Sequence, residues 1–248
     1  MHSYPHREEL FTVRTADLDI RSEVSPVVLF SLLQELAINH ADELGVGLKS
    51  IIEGSGHTWM LSRMRIVFAP TRPKFSEEIR VLTWPAGVQG RTTALRCFRV
   101  RDARDIEILR AETEWFYVNI ARQRIARLPD TITEITPRTA PRIELPETSE
   151  KFEFDDTVDF LDTAEIRVRR ADLDINNHVN HTHIIAWLFE PLADLITRPS
   201  LRTMDIVFRH EARLGDTLVS AASRSNSQTL HKISRDDTII AQAVLTWG

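Results

Sequence analysis

The chain has 248 residues, 42% of them hydrophobic and 27% charged, a balance that favours a folded globule and excludes wholesale disorder. Acidic residues outnumber basic ones, 36 to 31, for a formal net charge of −5, so global charge gives no support to nucleic-acid binding. No apolar run approaches the roughly 18 residues of a membrane helix, the N-terminus lacks the basic-then-apolar order of a signal peptide, and the lone Cys97 can form neither an internal disulfide nor a cysteine-rich zinc site. A cytoplasmic protein is expected.

In chain order, a short strand leads into Val13-Arg14-Thr15-Ala16-Asp17-Leu18-Asp19-Ile20. Ser25 is a natural N-cap, Pro26 suits the first helical position, and Leu29, Leu32, Leu33, Leu36 and Ala37 make an i, i+3, i+4, i+7, i+8 stripe. This predicts one amphipathic helix ending near Gly45. Strand-like runs follow at Arg63 to Phe68, Glu78 to Trp84, Thr92 to Arg101 and Ile108 to Asn119. Pro129, Pro137, Pro141 and Pro146 then punctuate a segment read as a linker over residues 129–160.

After that segment the pattern begins again. Val168-Arg169-Arg170-Ala171-Asp172-Leu173-Asp174-Ile175 repeats the first octapeptide at an offset of 155, with seven of eight positions identical. Asn180 replaces Ser25 as cap, Ile184, Trp187 and Leu188 replace the stripe, and Pro191 shortens the helix. Strands are expected at Thr203 to His210, Thr217 to Ser223 and Ile239 to Trp247. Met64 to Phe68 returns as Met204 to Phe208 at offset 140, and Ala111 to Trp115 pairs with Ala243 to Trp247 at offset 132. Ordered matches with falling offsets describe a tandem duplication whose second copy is trimmed. Hairpin-linked strands with no helices between them imply antiparallel sheet. The expected fold is therefore α+β: an antiparallel sheet wrapped around a long helix, made twice, the arrangement called a double hotdog. Its bounds are 1–128 for the first unit and 161–248 for the second.

Duplication supplies an internal comparison. Residues common to both copies serve the fold, whereas polar residues in one copy alone are candidates for chemistry. Where the first copy has Arg21-Ser22-Glu23, the second has Asn176-Asn177-His178 just ahead of the helix cap. An amide and an imidazole thus stand beside a helix N-terminus, whose amides can receive a developing oxyanion; turn-shaping by the two asparagines is the competing explanation. Glu211 falls opposite Thr71 at offset 140, so this carboxylate also belongs to the second copy only, with an exposed strand residue paired to Arg209 or Arg213 as its plain alternative. Asp174 is matched by Asp19, which a structural duty would explain equally well.

Other chemistries find little footing. No G-x-x-x-x-G-K loop, G-x-G-x-x-G turn or G-x-S-x-G elbow occurs among the eight glycines. His178, His181 and His183 resemble a metal cluster, but positions 181 and 183 lie about 200° apart on a helix and cannot share an ion, and no Cys, Asp or Glu stands at helical i+4 spacing to complete a site. Cys97 and His40 lie in apolar patterns that predict burial.

These residues together resemble the plant and bacterial acyl-ACP thioesterases over nearly the full length. The resemblance is carried by Leu32-Leu33-Gln34-Glu35-Leu36-Ala37-Ile38-Asn39-His40-Ala41, by Trp59-Met60-Leu61-Ser62-Arg63-Met64, and above all by Asp172 to Asn180 with Trp187 and Glu190 following. It implies hydrolysis of the thioester linking a fatty acyl chain to the phosphopantetheine arm of acyl carrier protein, with no metal or organic cofactor. The family's Asp-x-Asn-x-His triplet maps onto Asp174, Asn176 and His178. Its later Glu-Cys pair maps onto Glu211 and Ala212, so the thiol is missing and weight shifts to Glu211. Implied partners are acyl carrier protein, with no nucleic acid and no membrane; a homodimer is left open. An acyl-CoA thioesterase and a non-catalytic acyl-binding or regulatory protein of the same fold are the alternatives.

Overall fold

The computed structural model describes residues 4–49, 53–54, 56–136, 140–146, 154, 158–193, 197, 199–223 and 227–248. Pro137 and most of the segment from 147 to 157 lie outside them. The chain divides into two units, Met1–Leu145 and Pro146–Gly248.

In the first unit, β1 (Arg7–Thr12), β2 (His57–Phe68), β3 (Glu78–Gln89), β4 (Thr93–Asp102) and β5 (Glu107–Asn119) form an antiparallel sheet in the order β1-β3-β4-β5-β2, with the short β6 (Arg124–Ile125) beside β5. Helix α1 (Pro26–Glu43) starts as the sequence predicts: Ser25 Oγ accepts from the Val27 amide at 3.2 Å and Pro26 fills the first helical position. Its buried face is Leu29, Phe30, Leu33, Leu36, Ala37 and His40, so Phe30 is buried and Leu32 stays half-exposed. Phe30 meets Phe68 edge-on at 6.5 Å between ring centroids. Truncating one of the buried leucines to alanine costs about 2–5 kcal/mol.

The outer face of this sheet is covered too. Leu82, Trp84, Ala86, Leu95, Cys97 and Ile143 form one apolar cluster, overlaid by Tyr4, Ala140 and Leu145. Trp84 Nε1 donates to the Pro141 carbonyl at 2.9 Å, and Arg142 grips the buried Glu112 through two contacts of 2.5 and 2.8 Å. A short helix α2 (Asp130–Glu134) buries Ile132. The described residues of 129–145, expected as linker, therefore belong to the first unit: Ile143, Ala140 and Leu145 cover a sheet face that would otherwise be wet.

The second unit repeats the topology. Strands β7 (Asp162–Arg167), β8 (Leu201–Phe208), β9 (Thr217–Ala222), β10 (Gln228–Arg235) and β11 (Thr238–Trp247) run antiparallel in the order β7-β9-β10-β11-β8, the same as β1-β3-β4-β5-β2. Helix α3 (His181–Phe189) is half the length of α1 and stops before Pro191. Each unit is a hotdog fold, and the chain is α+β as expected. Strand β10 is absent from the sequence reading. Its buried positions include Thr229 and His231, and their mutual hydrogen bond of 2.8 Å replaces the apolar alternation that marks a strand. Among the described residues no helix is long and apolar enough to cross a membrane.

Candidate active site

The loop ahead of α3 is built around Asp174. Its Oδ1 accepts from the Asn176 amide at 2.8 Å and from the His178 amide at 3.3 Å, while its own amide donates to the His178 carbonyl at 2.8 Å. The first unit has the same knot: Asp19 Oδ1 accepts from the Arg21 and Glu23 amides at 2.9 and 3.4 Å, and the Asp19 amide donates to the Glu23 carbonyl at 2.8 Å. Both loops turn through a left-handed residue, Ser22 at φ 60° and Asn177 at φ 59°, and asparagine tolerates that conformation well. Asp174 and Asn177 thus shape the loop, as the shared aspartate suggested, and Asn176 and His178 are the residues the loop presents.

His178 is half-buried, and its Nε2 lies 3.0 Å from Glu211 Oε2. The backbone arranges this meeting, because the Val179 amide donates to the Ala212 carbonyl at 2.9 Å and ties the two loops together. Arg213 Nη2 stands 3.6 Å from the same Glu211 oxygen. The sequence offers Arg213 as a partner for an exposed Glu211, and the structure brings it near the same oxygen that faces His178. Glu211 lies three residues beyond the end of β8 at Phe208, so strand parity does not set its direction. Asn176 is exposed on the same loop as His178.

The structure corrects the partner assigned to Glu211 in the first unit. Val13 and Val168 donate to the carbonyls of Glu77 and Asp216, and the amides of Lys74 and Arg213 donate to the carboxylates of those same residues. The offset here is 139, because the loop after β2 is one residue longer than the loop after β8. Glu211 therefore corresponds to Arg72 and not to Thr71. Buried Arg72 reaches Asp19 Oδ2 at 2.6 Å, Glu23 Oε2 at 3.4 Å and the Val24 carbonyl at 2.8 Å. Where the second unit sets an imidazole against a carboxylate, the first sets a carboxylate against a guanidinium.

The helix terminus offers less to an oxyanion than expected. Asn180 donates to the Asp172 carbonyl at 2.9 Å, Thr182 to Asn180 Oδ1 at 3.0 Å and His183 to the Asn180 carbonyl at 2.9 Å. Three of the four amides from 180 to 183 are thereby committed within the chain. The three histidines diverge: His181 meets the Phe208 ring edge-on, His183 stands 3.8 Å from Asp172, and His178 faces Glu211. Burial pushes the His181 imidazole down to about 4, with Asp174 opposing the shift. No group of three metal-ligating side chains occurs among the described residues. Cys97 is fully buried, and burial followed by the adjacent Glu112 pushes its thiol up to about 12, which leaves it inert as a nucleophile.

Two hotdog units in tandem define the fold, and the His178–Glu211 pair lies in the second. The acyl-ACP thioesterase N-terminal domain matches residues 5–136 and the C-terminal domain residues 156–248. The chain belongs to the acyl-ACP thioesterase family. Among curated relatives, it is 24% identical over 246 residues to an oleoyl-acyl carrier protein thioesterase 2 of Arabidopsis thaliana, covering 92% of this chain and 65% of the relative. It is 28% identical over 225 residues to a palmitoyl-acyl carrier protein thioesterase of the same plant, covering 85% and 53%. The chain thus spans about half to two thirds of the length of these chloroplastic relatives. Among solved structures, a 12:0-ACP thioesterase from Umbellularia californica superposes with a TM-score of 0.86 at 21% identity, covering 100% of this chain and 98% of that one. An acyl-ACP thioesterase from Bacteroides thetaiotaomicron gives 0.83 at 22%, covering 98% of each. These likenesses establish the fold.

Proposed function

We propose that the chain hydrolyses the thioester of fatty acyl-ACP, releasing free fatty acid and ending chain elongation. The observation that carries this reading is the His178–Glu211 contact of 3.0 Å, found in the unit whose counterpart positions hold an Arg72–Glu23 ion pair in the other. In the proposed reaction Glu211 takes a proton from water as the oxygen attacks the thioester carbonyl. Collapse of the tetrahedral intermediate breaks the C–S bond, and the proton passes from Glu211 to the departing pantetheine thiolate. His178 holds Oε2 of Glu211 through its Nε2–H, leaving Oε1 for water. Asn176 donates to the carbonyl oxygen, and Asp174 fixes the loop that aims both residues.

The first unit is proposed to receive the acyl chain. A groove of about 350 Å³ there has Val24, Val28, Leu32 and Ile79 on its walls beside the polar Arg14 and Asp17, at the lower end of ligand-site volumes. Val28 and Leu32 correspond at offset 155 to His183 and Trp187, whose rings pack 6.1 Å apart in the second unit. A cytoplasmic location goes with this reading, in keeping with the single buried thiol.

The test is fatty acid release from acyl-ACPs of graded chain length beside the matching acyl-CoAs. Turnover of acyl-ACP above acyl-CoA is expected. Preference for CoA would reassign the substrate, and binding without release would make the protein an acyl-binding module.

A further inference from the structure

We propose that the β5–β6 hairpin tip of the first unit is a docking surface for an acidic protein partner, namely the carrier-protein half of the substrate; this rests on the function proposed above. The tip is formed by residues 119–125, and every residue from Ile120 to Ile125 is exposed. Ile120 and Ile125 are 51% and 48% exposed, which sets two large aliphatic side chains on one short turn among arginines. Between and beside them stand Arg122, Arg124 and Arg127. Arg91 joins the group, because the Leu128 amide donates to its carbonyl at 2.9 Å.

The arginines of this tip differ from those of the neighbouring strands. Along the sheet, Arg65 is matched by Glu112 at 2.5 Å, Arg99 by Glu107 at 2.7 Å and Arg101 by Asp105 at 2.7 Å. At the tip, none of the ion pairs among the described residues involves Arg91, Arg122 or Arg124, and Arg127 has only the exposed Asp130 at 3.5 Å. Arg122 and Arg124 thus put two unmatched positive charges on one turn, with Arg91 and Arg127 beside it, in a chain whose net charge is −5. Arginine around exposed aliphatic side chains is the composition of a protein interface, and charge of one sign steers an oppositely charged partner and fixes its orientation. A protein surface rich in carboxylates with an apolar residue among them is the complement.

The experiment measures binding of fluorescently labelled holo-acyl carrier protein, which carries no thioester, to the full chain by anisotropy at low and high salt. Wild type is compared with Arg122→Glu/Arg124→Glu and with the gentler Arg122→Gln/Arg124→Gln; thermal unfolding midpoints show that each variant is folded. The expected result is at least a tenfold weaker Kd for the charge-reversed chain, an intermediate loss for the Gln pair, and a salt dependence that shrinks with the arginines removed. Equal affinity of wild type and variants overturns the proposal. So does binding of the tip to phosphatidylglycerol vesicles while carrier affinity is untouched by the substitutions. Arginine-dependent carrier binding without hydrolysis of acyl-ACP would instead remove the proposed catalytic function and leave the docking surface standing.

Discussion

Arg72 and Glu211 occupy equivalent positions in the two units and carry opposite charge. Arg72 is clamped between Asp19 and Glu23 and the Val24 carbonyl, whereas Glu211 is half-exposed and faces His178. One position therefore carries a buried cation in the first unit and a carboxylate facing an imidazole in the second.

Removing the buried cation should be felt as stability. Arg72→Ala leaves Asp19 and Glu23 facing each other without their counter-charge, and a loss of about 3–5 kcal/mol is expected from breaking a buried pair at one partner. Urea unfolding measures it. The reverse graft, Glu211→Arg, should be inactive, because it removes the carboxylate and sets against Asp174 a guanidinium whose second partner in the first unit, Glu23, is His178 here.

Asp19→Ala and Asp174→Ala should both lower the unfolding midpoint, since each aspartate accepts from two loop amides. Asp174→Ala alone should also reduce turnover, because the loop it shapes carries Asn176 and His178. Equal, unchanged turnover in both variants would confine Asp174 to a structural role.

The duplication, the antiparallel topology and both helix starts were legible because they rest on local chemistry: a repeated Asp-Leu-Asp-Ile, the caps Ser25 and Asn180, and apolar periodicity. The candidate pair His178 and Glu211 was legible as a difference between copies. What stayed hidden depends on contacts distant in sequence. The Arg72–Glu211 equivalence needs a one-residue deletion between Phe208 and Ala212 that no sequence identity marks. Strand β10 buries Thr229 and His231, satisfied by Trp247 and by each other, and so reads as polar. Residues 129–145 look like linker because prolines dominate them, yet Ile132 and Ile143 are core.

Acid should destabilise the fold well before carboxylates titrate. Burial, then Arg96, push His40 down to about 4, and burial pushes His181 to about 4. Their unfolded forms bind protons near pH 6.5 while the folded forms do not, so the unfolded state gains protons and stability falls as pH drops from about 6.5 to 4. Denaturant titrations at pH 7, 5.5 and 4.5 should show this decline, and His40→Gln should flatten it. A stability independent of pH across that window would contradict the neutral state of the buried His40 and the desolvated His181.

Iodoacetamide should leave the native protein unmodified and fully active, because the Cys97 thiol is fully buried and pushed up to about 12. Modification should appear only in denaturant. Rapid inactivation that substrate prevents would place a reactive thiol in the reaction.

The most direct measurement is single-turnover release of fatty acid from acyl-ACP by wild type, Glu211→Gln and His178→Ala, with circular dichroism confirming the fold of each. A positioned acid or base contributes about 10²–10⁴-fold, so both variants should lose turnover by that factor, while Glu23→Ala in the equivalent loop of the first unit should retain it apart from any loss of stability. Near-normal release by Glu211→Gln would contradict the assignment of the reaction to the His178–Glu211 pair.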